Sequence, residues 1–174
     1  MTALPSTTST PTIDSVSFRT AMRLPATSVT ILAAGTDAER NGITVSAVCS
    51  LSDNPPMLLA CVNLSSTALP VIRRAGAFSA NFLTCTQSNL AKRFAGHDKI
   101  YGSERFTLGD WGSLATGAPV LHDALAVFDC ILEQEYESPT HAILIGKVAG
   151  IIHNSNSKSL VYSSGSFGYA ESHS

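Results

Sequence analysis

The sequence predicts a mainly β domain with antiparallel pairing, and three observations predict it. Short β-branched or alternating runs recur along the chain, at 27–34, 43–51, 57–62, 78–83, 124–137, 141–153 and 159–170. Turn clusters separate them, among them GTDAERNG at 35–42 and DNPP at 53–56. Helical spacing occurs only in three short pieces. About six or seven strands with three inserted helices suit an antiparallel barrel or sandwich.

Each element has a local reason. Asp14 is a candidate N-cap for a short helix in which Phe18 and Met22 stand four residues apart, before Pro25 ends the pattern. TSVTILAA at 27–34 and the run starting at Gly42 read as a hairpin. In the second of these strands, Ile43, Val45, Ala47, Cys49 and Leu51 face one side and Thr44, Ser46, Val48 and Ser50 the other, so one face is apolar and the other mostly hydroxylated. MLLACV at 57–62 is apolar on both faces and predicts a strand buried on both. Ser65, Ser66 and Thr67 predict a helix N-terminus running to Arg74, with Pro70 near the first turn and Gly76 as the stop. Ser88–Ala95 predicts another helix with Leu90 and Phe94 on one side and Gly96 after it. Residues 97–118 keep no period and read as a long surface excursion.

The chain has 174 residues, enough for one well-filled core, and the expected organisation is a disordered tail over 1–14 followed by a single domain over 15–174. Hydrophobic residues make up 44% and charged residues 14%, which leaves little charge to cover an isolated globule and favours an oligomer. The net charge of -2 gives no basic field for nucleic acid. No apolar run approaches the roughly 20 residues that span a bilayer, and the N-terminus lacks a signal-peptide pattern, so a soluble cytoplasmic protein is expected. Cys49, Cys61, Cys85 and Cys130 lie 12, 24 and 45 residues apart, a spacing for neither metal nor CxxC chemistry. They read as small buried hydrophobes in a reducing compartment.

Motif absences narrow the chemistry. There is no GxGxxG opening a helix, no GxxxxGK[ST], no HExxH and no GxSxG, and the five histidines are scattered, so no metal site is expected. What remains is small hydroxyl and amide residues at strand ends and helix starts. Thr44, Ser46, Ser50, Asn63, Ser65, Ser66 and Thr67 could line a cleft for a planar phosphorylated ligand, with Lys92 and Arg93 adding positive charge, or they could be solvated strand hydroxyls and ordinary caps.

A series of motifs decides between these readings. FRTAM at 18–22, ATSVTIL at 26–32, NGITVSAVCSLSDNPPMLLACVN at 41–63, FSANFL at 78–83 and QSNLAKRFAG at 87–96 are followed by GAPVLHDALAVFDC at 117–130, HAILIGKV at 141–148 and LVYSSGSFGYA at 160–170. In this order the chain resembles the short-chain flavin reductases, the reductase components of two-component flavin-dependent monooxygenases, with nearest likeness to the chlorophenol monooxygenase reductases.

The resemblance implies an antiparallel split β-barrel with a few flanking helices, a homodimer, and a flavin cleft near the dimer interface. Carried over motif by motif, it implies that Ser46, Ala47, Val48 and Cys49 meet the isoalloxazine edge. Ser50, Ser52, Cys61, Val62 and Asn63 would line the ring and ribityl chain. Ser66, Thr67, Lys92 and Arg93 would hold phosphate, with Asn81, Phe82, Ser88 and Phe94 nearby. His141 is implied as a contact for nicotinamide or reduced flavin, and Tyr169 as a nicotinamide-stacking or gating residue. From the residues alone, His141 reads as a structural strand histidine and Tyr169 as a core aromatic.

Two departures bear on loop geometry. Ser28 stands where the family commonly has Gly, and Pro139-Thr140 stands where it has Gly-Asp before the strand histidine.

The implied activity is NAD(P)H:flavin oxidoreduction, with reduced flavin diffusing to a partner monooxygenase in aromatic compound degradation. The resemblance favours FAD with FMN possible, and NADH over NADPH. The alternatives are a flavin-binding barrel without reductase activity, a flavin-retaining oxidase on the same barrel, and a purely structural dimer.

Overall fold

A computed structural model describes residues 12–171. The expected tail therefore falls mainly on residues 1–11, which lie outside the described residues. The elements in chain order are α1 (Ser15–Met22), β1 (Thr27–Ser28), β2 (Thr30–Ala34), β3 (Asn41–Val45), β4 (Val48–Asp53), β5 (Pro56–Asn63), α2 (Leu69–Ala75) and β6 (Ala77–Phe82). They continue with α3 (Ser88–Phe94), β7 (Trp111–Ser113), β8 (Pro119–Leu121), β9 (Ala126–Glu137), β10 (His141–His153), β11 (Leu160–Ser163) and β12 (Ser166–Tyr169).

Seven strands form one antiparallel sheet in the order β3-β2-β6-β9-β10-β5-β4. Laid flat, its edges would stand roughly 29 Å apart at the usual strand spacing of about 4.8 Å. Yet β3 and β4 are those two edges, and only Ser46 and Ala47 separate them. Three Cα steps reach at most about 11 Å. The sheet must therefore curl until its edges nearly meet. The ladder itself does not close, because β3 and β4 are not paired.

The expected single strand over 42–51 is thus two strands on opposite edges of the sheet. Its period of two continues across a break that local spacing cannot reveal. The hairpin of β2 with β3 forms as expected, pairing Thr30 with Val45 and Ala34 with Asn41.

The inside of the curl is filled by Leu32, Leu58, Ala60, Val62, Phe78, Ala80, Cys130, Ala142 and Leu144, with Leu69 and Ile72 of α2 closing it. Burying a side chain the size of Phe78 contributes about 1.5–3 kcal/mol. The outer face of β2, β6 and β9 carries a second cluster, in which Ile31, Leu83 and Val127 pack under Leu90 and Phe94 of α3. Trp111 and Phe106 join Phe94 there, with ring centroids 4.8–5.4 Å apart. The 97–118 segment is therefore more than a surface excursion, since a 3-10 turn over Gly102–Thr107 and the β7–β8 pair fold back and bury Phe106.

Two further expectations change. Strand β5 buries Leu58, Ala60 and Val62 on one face, while Met57, Leu59 and Cys61 stay half-buried on the other, because no second layer among the described residues covers it. Helix α2 starts at Leu69 rather than at the hydroxyl cluster. The Asn63 side chain accepts hydrogen bonds from the Ser65 N–H and hydroxyl, and the Ser66 N–H donates to the Asn63 carbonyl, so these residues form a turn first. Gly76, at φ +62°, then ends the helix as expected.

Candidate functional site

The site is built where the chain crosses from one sheet edge to the other. Both neighbours of the crossing are held by ladders, and Cys61 N–H donates to the Ala47 carbonyl at 2.9 Å. The N–H groups of Ser46 and Ala47 have no acceptor among the described residues. Two exposed, fixed backbone donors are left side by side.

A cleft of about 570 Å³ opens beneath them. Ile43, Thr44, Val45, Ser46 and Ala47 form one wall; Cys61 and Asn63 of β5 and His141 and Ile143 of β10, on paired strands, form the floor; Ser138 and Phe18 and Met22 of α1 complete the lining. That volume suits a ligand the size of a cofactor ring. A smaller cleft of about 230 Å³ shares Thr44, Val45 and Ser46, and is completed by Val29, Ala95, His97, Tyr162 and Phe167.

The polar groups on the floor are oriented by their neighbours. Asn63 and His141 face each other across the β5–β10 ladder. The Oδ1 of Asn63 is occupied by Ser65, which leaves its Nδ2 amide without a partner among the described residues. His141 Nδ1 lies 2.8 Å from the Thr140 hydroxyl, so Nε2 is the nitrogen left for a ligand. Burial pushes the Cys61 thiol above its ordinary pKa, and neighbouring Cys49 adds to the shift. Cys61 therefore lines the floor as a neutral, weakly polar surface rather than as a thiolate.

The structure brings together Ser46, Ala47, Cys61, Asn63 and His141 around this one cleft. Val48, Cys49, Ser50 and Ser52 continue along β4, with Cys49 and Ser50 exposed. Ser66 accepts from the Ala68 N–H, and Thr67 accepts from the Asn41 amide, so both hydroxyls serve the turn before α2. The Thr44 hydroxyl, although at the cleft wall, donates to the Ala91 carbonyl at 2.7 Å.

Others stand apart. Val62 and Phe94 point into the two cores. Asn81 is fully buried, with its amide donating to the Ile31 carbonyl and Ser79 hydroxyl and its Oδ1 accepting from the Leu121 N–H. Phe82 packs edge-on against Phe128. Ser88 opens α3 half-buried, and Lys92 is exposed on the same helix. Arg93 is paired with Asp98 at 2.9 Å. Tyr169 is 55% exposed, under the Lys158 ammonium at 4.6 Å, and lines neither cleft.

Sequence reasoning did not single out His97, Ser138, Tyr162 or Phe167. The aromatic pair could have been found from the SSG turn at 163–165, since a two-residue hairpin turn puts Tyr162 and Phe167 directly opposite each other.

Similarity to known proteins agrees with this architecture. The family described as flavin reductase like domain matches residues 22–171. The chain is 40% identical over 150 residues to the FMN reductase (NADH) RutF 2 of Methylorubrum extorquens, covering 86% of each chain. It superimposes on BorF, the flavin reductase component of a bacterial two-component tryptophan halogenase, with a TM-score of 0.83 at 29% identity, over 92% of this chain and 100% of BorF. On the NADH:FAD oxidoreductase SgcE6 of Streptomyces globisporus the TM-score is 0.84 at 25% identity, over 95% and 99% of the two chains. With the family match spanning most of the chain, this protein belongs to the flavin reductase like family.

Proposed function

We propose that the chain is an NADH:flavin oxidoreductase that releases reduced flavin to a partner monooxygenase. The observation that carries this reading is the pair of N–H groups at Ser46 and Ala47, without an acceptor among the described residues, beside a cleft whose lining is largely apolar. A flavin ring is a flat apolar body with carbonyl and ring-nitrogen acceptors along one edge, and the cleft offers the complement of both. The residues present therefore fit the group.

Flavin, when bound, supplies the hydride acceptor for the nicotinamide of NADH. The chain's own residues bind, orient and shield. Donors at Ser46 and Ala47 favour the build-up of negative charge along the ring edge they face. The Asn63 amide offers a further donor from the floor, and Ile43, Ile143 and Cys61 exclude water beneath the ring. His141 Nε2, on the floor, would face either the nicotinamide or the reduced ring. No strong acid or base is needed for hydride transfer itself.

We favour FMN over the FAD suggested by sequence resemblance, since a relative at 40% identity is named for FMN and the neighbour named for FAD stands at 25%. NADH is common to both names. The BorF likeness supports a two-component partnership, and a partner acting on an aromatic substrate is the finer form of that reading. A homodimer fits the exposed Leu51, Ile131, Tyr136 and Ile151 on β4, β9 and β10. No helix among the described residues is long and apolar enough to cross a membrane, and the four cysteines are free thiols, which suits a reducing compartment such as the cytoplasm.

The test is aerobic loss of nicotinamide absorbance with NADH or NADPH, each with no flavin, FMN or FAD. Oxidation of NADH that requires added flavin, fastest with FMN, is expected. Flavin that co-purifies through turnover would favour a retaining oxidase, and absence of oxidation in every combination would overturn the reductase reading.

A further inference from the structure

Helix α1 differs from the other two helices in having no buried residue at all. Its apolar side chains are largely open, with Phe18 59% and Met22 56% exposed. An eight-residue helix without core contact is too short to hold itself by propensity alone, since isolated helices of fewer than about 12 residues are marginal in water. Local devices hold it instead. Asp14 Oδ1 accepts from the N–H groups of Val16 and Ser17 at the start. At the other end, the Ser163 hydroxyl donates to the Leu24 carbonyl and the Ser164 N–H donates to the Arg23 carbonyl. The helix is thus strapped by its C-terminal end to the β11–β12 turn and attached to the core nowhere along its length.

Phe18 and Met22, one helical turn apart, nevertheless lie on the same side of the helix and line the larger cleft together with Ser46 and Ala47. The strap leads to the hairpin whose Tyr162 and Phe167 line the smaller cleft. One wall of a ring-sized cleft is therefore apolar, aromatic-bearing and free of core packing. A rigid wall would need no such construction, whereas a diffusible product must enter and leave.

We propose that α1 is a hinged cover for the ring-binding cleft, with Phe18 and Met22 as the side chains that touch the bound flavin ring. Closure buries both side chains and the ring face against each other, and reopening costs only that contact because nothing in the core is disturbed. This rests on the reductase reading and adds to it two contact residues and a route of release.

The experiment uses the full chain and FMN as the probe. FMN dissociation constants and dissociation rates are measured for the wild type, for F18A/M22A and for V16A, whose side chain is exposed and lies outside both clefts. The double variant should weaken FMN binding about tenfold, mainly through faster dissociation, while its Tm stays within about 1 °C of wild type and V16A binds normally. Sedimentation of the same samples checks for a second copy as the true occupant of α1. Weakened binding that appears only as the double variant loses an oligomeric state overturns the cover in favour of an interface. Unchanged FMN binding in F18A/M22A overturns the cover alone, and binding of neither FMN nor FAD by the wild type overturns the reductase reading and the cover with it.

Discussion

Asn81 and Asn63 carry the same side chain, and the family resemblance implies both near the flavin, yet the fold uses them in opposite ways. Asn81 sits fully buried with its amide spent on Ile31 and Ser79 and its oxygen on the Leu121 N–H, which ties β2, β6 and β8 together. Asn63 spends its oxygen on the turn before α2 and keeps its Nδ2 for the cleft. Hydrogen-bond saturation, rather than residue type, separates scaffold from site. A polar group with every partner supplied by the chain has nothing left for a ligand.

The largest expected effect is at the scaffold member. Asn81→Leu leaves the Leu121 N–H and the Ile31 carbonyl short of a partner in a water-free core, and each such group costs about 1–3 kcal/mol. A loss of roughly 3 kcal/mol would lower Tm by about 6–12 °C for a chain of this size. Asn63→Ala should lower Tm far less and weaken FMN binding several-fold. Thermal melts and FMN titrations of the two variants check this, and a stable Asn81→Leu protein with lost FMN affinity would break the comparison.

Gly146 offers a scaffold perturbation that removes no hydrogen bond. A Cβ there would stand 2.6 Å from Phe78 Cζ and 2.8 Å from Cys130 Cβ. Gly146→Ala should cost about 1–3 kcal/mol by overpacking and leave FMN affinity unaltered once folded. A second change, Phe78→Leu, should restore part of the loss, as measured by urea unfolding.

His141 sharpens the other side of the comparison. It is exposed, and its one side-chain partner is the adjacent Thr140 hydroxyl, so His141→Ala should leave stability within about 0.5 kcal/mol. Turnover at saturating NADH should fall about tenfold, which corresponds to about 1.4 kcal/mol of barrier, with FMN affinity within about twofold of wild type. Unchanged turnover would remove His141 from the chemistry and leave it as a lining residue of the cleft.

These contrasts also explain what could be read from the sequence. The β2–β3 hairpin, the Asp14 cap, the Gly76 and Gly96 stops and the β9–β10 hairpin are set by neighbours a few residues away, and all are legible locally. The break at Ser46–Ala47 is not, because apolar residue types alternate straight through it, whereas the faces switch: Ile43 and Val45 before it and Val48 after it pack on the same core, and Cys49 and Leu51 are exposed. The buried role of Asn81 was hidden for a related reason. Its partners Ile31 and Leu121 are 50 and 40 residues distant, and no local pattern announces that three such groups will meet. Motif likeness points to Tyr169, whereas the hairpin pairs Tyr162 with Phe167 and both line the smaller cleft. Residue types suited to a site were legible; which of them still have a free donor depends on the fold.

The smallest expected effect separates the cysteines along the same line. Burial, with help from the Asp129 carboxylate, pushes the Cys130 thiol up to about 12, whereas an unfolded chain releases that proton near pH 8.5. The native state therefore holds this proton more tightly, so its contribution to stability is whole below about pH 8.5 and is lost as pH rises toward the native value. Urea midpoints of the wild type should fall from pH 8.5 to pH 10 more steeply than those of Cys130→Ala, which starts lower at neutral pH because of the cavity it leaves. Alkylation by iodoacetamide tests the same ordering chemically. Exposed Cys49 should react first, Cys61 more slowly because burial raises its thiol, and Cys130 only as the chain unfolds. Added FMN should slow Cys61, which lies on the cleft floor, and leave the Cys130 rate governed by stability alone. Equal protection of both thiols by FMN would mean that the cleft and the core open together, and the division between site and scaffold drawn from the two asparagines would fail.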